Sequence, residues 1–93
     1  MIVGVMTAQL HLNGIGSLKE KRSIVKSLVE RLKSRFNASV AEVDHNDSKL
    51  SALIGISIVS NGQQFIDQQF DQIISFMRND GRFYLGQVDR ETF

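Results

Sequence analysis

Ile2, Gly4, Met6, Ala8, Leu10 and Leu12 fall on one side of the opening stretch, and Val3, Val5, Thr7, Gln9 and His11 on the other. This alternation is that of a strand with one apolar face turned to a core. The run "NGIG" breaks the pattern. Ser17, followed three residues later by Glu20, matches a capping box, in which each side chain satisfies a backbone N–H at a helix start. A helix is therefore predicted from Leu18, with Leu18, Val25, Leu28, Val29, Leu32 and Phe36 recurring on one side at about 100° per residue.

Val40 to Asp44 reads as a short strand and "HNDS" as a turn, because His, Asn, Asp and Ser tolerate tight or left-handed backbone. Leu50 to Ser60, with Ile54, Ile56 and Ile58 alternating, predicts the antiparallel partner of that strand. Asn61 and Gly62 then open a second helix striped by Ile66, Phe70, Ile73, Ile74 and Met77, with Gly81 as its expected C-terminal cap. Its Gln-rich run, Gln63 to Gln72, occupies positions the stripe leaves free and reads as a solvated face. "RFYLGQVDRE" supplies a last strand. The order βαββαβ predicts an α+β, ferredoxin-like split βαβ sandwich, a four-stranded antiparallel sheet with both helices on one face and the other face open.

Length adds that this is one domain, spanning residues 1–93. A composition of 42% hydrophobic and 23% charged residues without proline predicts order almost end to end. The absence of cysteine excludes disulfides, thiolate metal sites and thiol chemistry, and fits a cytoplasmic setting. The apolar start lacks a basic n-region and is too short to span a bilayer, so no membrane partner is expected.

Charge changes the picture more. Residues 17–35 hold seven of the eleven bases and two of the ten acids, a local net charge of +5; the remaining four bases and eight acids give −4. Lys19, Arg22, Lys26 and Lys33 project onto one stripe of the first helix, interrupted by Glu30, while Arg31 and Arg35 fall on the opposite flank of the apolar face. Lys21 projects into the apolar sector itself, so its amine either snorkels out along the sheet edge or reaches a site at the helix start. Most such charge runs only solvate a helix. The functional reading here is phosphate, because "NGIGSLKEKR" joins a glycine-containing loop to a helix start and side-chain cations. The stretch is neither a P-loop nor a complete G-x-G-x-x-G fingerprint. The candidate RNA- or anion-binding residues are Ser17, Lys19, Lys21, Arg22, Lys26 and Lys33.

Other chemistry is sparse. RNA-reading sheets of this architecture stack bases on aromatic residues, and the two strands expected at the centre carry none on their open side. Any RNA contact is thus expected through backbone or helical shape, and no motif that reads DNA sequence is present. Glu42, Asp44, His45 and Asp47 cluster in sequence, but alternation sends His45 away from Glu42 and Asp44, so turn chemistry is expected and no metal site. No Ser/His/Asp arrangement emerges, and the first loop, "NGIGS", lacks the arginine that an acylphosphatase needs. A non-enzyme without a cofactor is expected.

At "SLKEKR", followed at a distance by "VAEVDH" and "GISIVSN", the chain resembles the small bacterial family known as the domain of unknown function 503, or YlxP-like proteins. The resemblance implies a ferredoxin-like fold, a cytoplasmic bacterial protein and no catalytic residues to carry over. It places family hallmarks on Ser17, Leu18, Lys19, Glu20, Lys21 and Arg22, and on Glu42, Asp44 and His45. It also implies genes beside transcription-termination, translation-initiation and ribosome-maturation factors. The leading expectation is a non-enzymatic RNA- or ribosome-associated accessory protein that contacts phosphates through its first helix. The alternatives are a homo-oligomeric, for instance homodimeric, regulatory or protein-interaction module and a small-anion-binding domain at Gly14 to Arg22.

Overall fold

A computed structural model describes the whole chain, Met1–Phe93. Its elements are β1 (Ile2–His11), α1 (Leu18–Arg35), β2 (Ser39–Asp44), β3 (Ser51–Ser60), α2 (Gln63–Arg78) and β4 (Tyr84–Thr92). The strands form one antiparallel sheet in the order β2-β3-β1-β4, the expected ferredoxin-like arrangement.

The predicted alternation of β1 sets the layers. Met6, Ala8 and Leu10 are fully buried against Ile54 and Ile56 of β3, Leu28 and Leu32 of α1, and Ile66, Phe70 and Ile73 of α2. Both helices therefore lie on one face. Gly4 shares that face at a point where α2 comes very close: a Cβ there would collide with the Ile66 Cγ2 methyl and sit 3.0 Å from Phe70 Cε2. Absence of a side chain is what lets α2 settle onto β1.

The start of α1 forms as the capping pattern predicts. Ser17 is extended (φ −157°, ψ 162°) and its hydroxyl accepts the Glu20 N–H at 3.1 Å, while the Glu20 carboxylate accepts the Gly16 N–H at 3.0 Å. The end of α2 differs from expectation. Its C-cap is Asn79, whose N–H bonds back to the Ser75 carbonyl at 3.2 Å, and Gly81 instead makes the left-handed turn of the following loop at φ +85°. Phe83, expected within the last strand, precedes β4 and is buried in the core.

The second face of the sheet is uncovered. Val43 and Val59 are more than half exposed on it, and register places Tyr84 beside His11 and Phe93 beside Val3 on the same side. Aromatic residues thus do reach the open face, on β4 and at the chain end and not on the central strands, with Asp89 and Glu91 between them.

Candidate functional site

Lys21 is fully buried. Its position in the apolar sector of α1 carries the amine inward to the end of β2, where it lies 2.9 Å from Glu42 Oε2 and donates to the His45 carbonyl at 2.6 Å. The contact with Glu42 is an ion pair outside hydrogen-bond geometry, which leaves that carboxylate oxygen held by charge alone. His45, at φ +65°, turns its carbonyl toward the lysine. Of the six residues expected to face an anion, Lys21 must therefore be withdrawn: it pins the first turn of α1 to the β2–β3 hairpin.

Ser17 is also engaged, since its hydroxyl is taken by the Glu20 N–H. The Glu20 carboxylate accepts the Gly16 amide, one residue before the N-cap, and so sets a negative charge close to the start of α1. A helix start favours negative charge because its first N–H groups are unpaired, and here the chain supplies that charge itself. A carboxylate already beside the helix start works against a further small anion at Gly14 to Arg22.

The remaining candidates stay together. Lys19, Arg22, Lys26 and Lys33 are all exposed on the flank of α1 opposite Arg31 and Arg35, and none forms an ion pair. The contrast with other cations is sharp. Arg82 pairs with Asp80, Arg90 with Asp67 and Asp71, Arg31 with Asp80, and Lys21 with Glu42. Seven cations have no carboxylate within reach, and five of them (Lys19, Arg22, Lys26, Lys33 and Arg35) belong to α1.

A second cluster lies between the helices, and sequence reasoning found only part of it. Phe76 of α2 meets Phe36 edge-to-face at 6.2 Å, and the guanidinium carbons of both Arg31 and Arg35 stand 5.2 Å from its ring centre. The projection of Arg31 and Arg35 onto one flank of α1 was readable; the ring they stack on was not, because Phe76 lies outside the apolar stripe of α2. Below them Asp80, with its side chain 1% exposed, accepts from Arg82 Nε at 2.6 Å and Nη2 at 2.8 Å, with Arg31 at 3.6 Å. Arg82 also donates to Ser27 of α1 at 3.1 Å, so the pair ties the loop after α2 to the first helix.

The Arg82 hydrogen bonds hold the Asp80 carboxyl below its ordinary value of 3.8. A carboxylate whose folded pKa is depressed stabilises the protein at all pH values above its unfolded pKa, and that stability is lost as pH falls below 3.8. Asp80→Asn should cost about 2 kcal/mol at pH 7, in line with hydrogen bonds to charged groups. Urea denaturation at pH 7 and pH 3 should find the gap between variant and wild type narrowing at the lower pH; a gap that is constant or widens would show that the charge of Asp80 is not what stabilises the loop.

The acidic and imidazole cluster is divided, though not by the expected alternation: a register shift between Glu42 and Asp44 sets Glu42 opposite Ile54 on the core side and Asp44 opposite Leu53 on the open side. Glu42 faces Lys21, whereas His45 Nδ1 lies 2.8 Å from the Ser51 hydroxyl and Asp44 accepts the His45 N–H at 2.8 Å. No group of three His, Cys, Asp or Glu side chains converges on a metal-sized point. No helix is long and apolar enough to cross a membrane.

Three comparisons bear on this geometry. Residues 3–90 match the model of a family described as "Protein of unknown function (DUF503)". The chain is similar to the "Uncharacterized protein YlxP" of Bacillus subtilis (strain 168), 26% identical over 76 residues that cover 82% of this chain and 83% of that protein. Among solved structures it is similar to "De novo designed protein Foldit4", with a TM-score of 0.53 and 14% identity over 99% of this chain and 94% of the other, a likeness of fold alone.

Proposed function

The chain belongs to the DUF503 family, and we propose that its role is that of a non-enzymatic RNA- or ribosome-associated accessory factor that contacts phosphates through the exposed flank of α1. The observation that carries this reading is the unpaired state of Lys19, Arg22, Lys26 and Lys33 on one helix whose segment is +5 while the rest of the chain is −4. A cation without an internal carboxylate keeps its full attraction for an external one or for phosphate. A row of them follows a polyanion as no scattered set does.

Binding of this kind releases counterions. With three or four phosphates neutralised, log affinity should fall against log salt with a slope of roughly −2 to −4. Co-sedimentation with ribosomal subunits at low and moderate salt, comparing wild type with Lys19→Glu/Arg22→Glu, tests it. Salt-sensitive association that the double variant abolishes is the expected result. No association at low salt, or association untouched by charge reversal, would remove the reading.

The uncovered sheet face supports a second reading, a homo-oligomeric interaction module, because Val43, Val59, Tyr84 and Phe93 are each more than half exposed there. Sedimentation of the protein alone separates the two: a concentration-dependent oligomer that retains no RNA would favour the sheet.

A further inference from the structure

The cleft between the C-terminal halves of α1 and α2 is about 480 Å³ and is lined by Arg31, Arg35, Gln72, Phe76 and Asn79 among others. That volume lies within the roughly 300–1,000 Å³ of small-ligand sites. Its composition is particular. Two arginines one helical turn apart repel each other, yet both guanidiniums are held against one aromatic ring. Arg31 is partly neutralised by Asp80 at 3.6 Å, while Arg35 has no carboxylate. The side-chain amides of Gln72 and Asn79 complete the lining without a bond to another side chain.

Each part excludes a simpler ligand class. A bare anion has no use for the ring, and an uncharged apolar ligand gains nothing from Arg35. A flat π-system attached to a phosphate uses all of it: the face stacks on the aromatic–guanidinium cluster, the amides meet the polar edge, and Arg35 meets the phosphate.

We propose that this cleft is a subsite for one unpaired nucleotide of RNA, its base stacked on the Phe76–arginine cluster and its phosphate on Arg35. The proposal rests on the RNA reading above and adds to it a single-stranded target and a base contact on the helical side of the molecule. Position agrees with this. The cleft and the Lys19 to Lys33 flank bracket the exposed face of α1, a helix about 10 Å across, so one strand crossing it meets both.

The test is a nuclear magnetic resonance titration of the full chain with adenosine 5′-monophosphate and, separately, ribose 5-phosphate, followed by affinity for a single-stranded RNA hexamer. Adenosine 5′-monophosphate should shift the Phe76 ring protons through the ring current of the base, and ribose 5-phosphate should not. Phe76→Leu, which keeps an apolar contact for Phe36, should weaken hexamer binding about ten-fold or more, with the salt slope unchanged. Arg35→Gln, a surface change away from the core, should weaken the hexamer likewise and lower the slope. Absence of a ring shift, equal shifts with ribose 5-phosphate, or a hexamer affinity indifferent to both variants would overturn the subsite. Lys19→Glu/Arg22→Glu keeps the two readings apart: it should lower the salt slope while the nucleotide still shifts Phe76. Loss of the flank contribution alone would leave the cleft standing, and loss of the ring shift alone would leave the flank.

Discussion

Replacing Lys21 with methionine should destabilise the protein by about 3 kcal/mol, as breaking one side of a buried pair does. Methionine fills nearly the same volume, so no cavity explains the loss. The cost lies in Glu42, a side chain only 13% exposed, whose Oε2 loses the single cation beside it, and in the His45 carbonyl, which loses its donor. Glu42 sits on an edge strand and can swing toward water, which keeps the cost at the lower end for buried pairs. The double variant Lys21→Met/Glu42→Leu should recover most of the loss, because replacing both charges by apolar groups removes the desolvation penalty along with the attraction. Chemical denaturation of the four proteins in the cycle decides it. For a domain of this size 3 kcal/mol is a lowering of the melting temperature by roughly 12–24 °C. A single-variant cost below 1 kcal/mol, or a double variant no better than the sum of the singles, would show that the pair does not hold the helix start.

Gly4→Ala should cost about 2–3 kcal/mol through overpacking. The new methyl collides with Ile66 Cγ2, which branches from Cβ and has few rotamers in a helix, and it crowds Phe70 as well. Relief therefore requires α2 to lift from β1, loosening Phe70 and Ile73 together. Ile66→Ala alone should cost roughly 2–5 kcal/mol by leaving a cavity. In Gly4→Ala/Ile66→Ala the added methyl partly fills the space vacated, so the double variant should be more stable than the sum of the singles by more than 1 kcal/mol. Simple additivity would mean that the close approach of helix and sheet at Gly4 is not under compression.

These two sites also mark what the sequence made legible. The fold was readable because each element carries its own signal: period-two alternation in β1 and β3, a capping pair at Ser17 and Glu20, and helical stripes in α1 and α2. All of these are local. Lys21 was readable as an anomaly, a cation projecting into an apolar sector, but its partner was not, since nothing along the chain says that Glu42 will face it across 21 residues. Within "EVDHND" the carboxylates look alike, and regular alternation would put Glu42 and Asp44 on one face; the register shift in β2 that separates them has no signal in the sequence. Similarly, Arg31 and Arg35 could be assigned to a flank, whereas Phe76, Asp80 and Arg82 join them only once two helices are laid side by side. Gly81 shows a smaller failure of the same kind. Its need for a left-handed backbone was visible, but the helix closes two residues earlier on Asn79, through a bond that composition does not signal.

The placing of β1 between β3 and β4 has a consequence for how the chain is made. Val3 exchanges both backbone hydrogen bonds with Phe93, at 2.9 and 2.8 Å, and β1 pairs along nearly its whole length with the last strand. β1 precedes both of its sheet neighbours along the chain, so in synthesis it is available before either of them. It gains one neighbour when β3 follows it out, and its other edge stays open until β4 arrives. An apolar strand with an unpaired edge is the form most prone to pair with another chain. Between the emergence of Ser60 and that of Thr92 a nascent copy therefore holds β1 with one edge paired and the other open to wrong partners, and the speed of elongation through α2 and β4 sets how long this lasts.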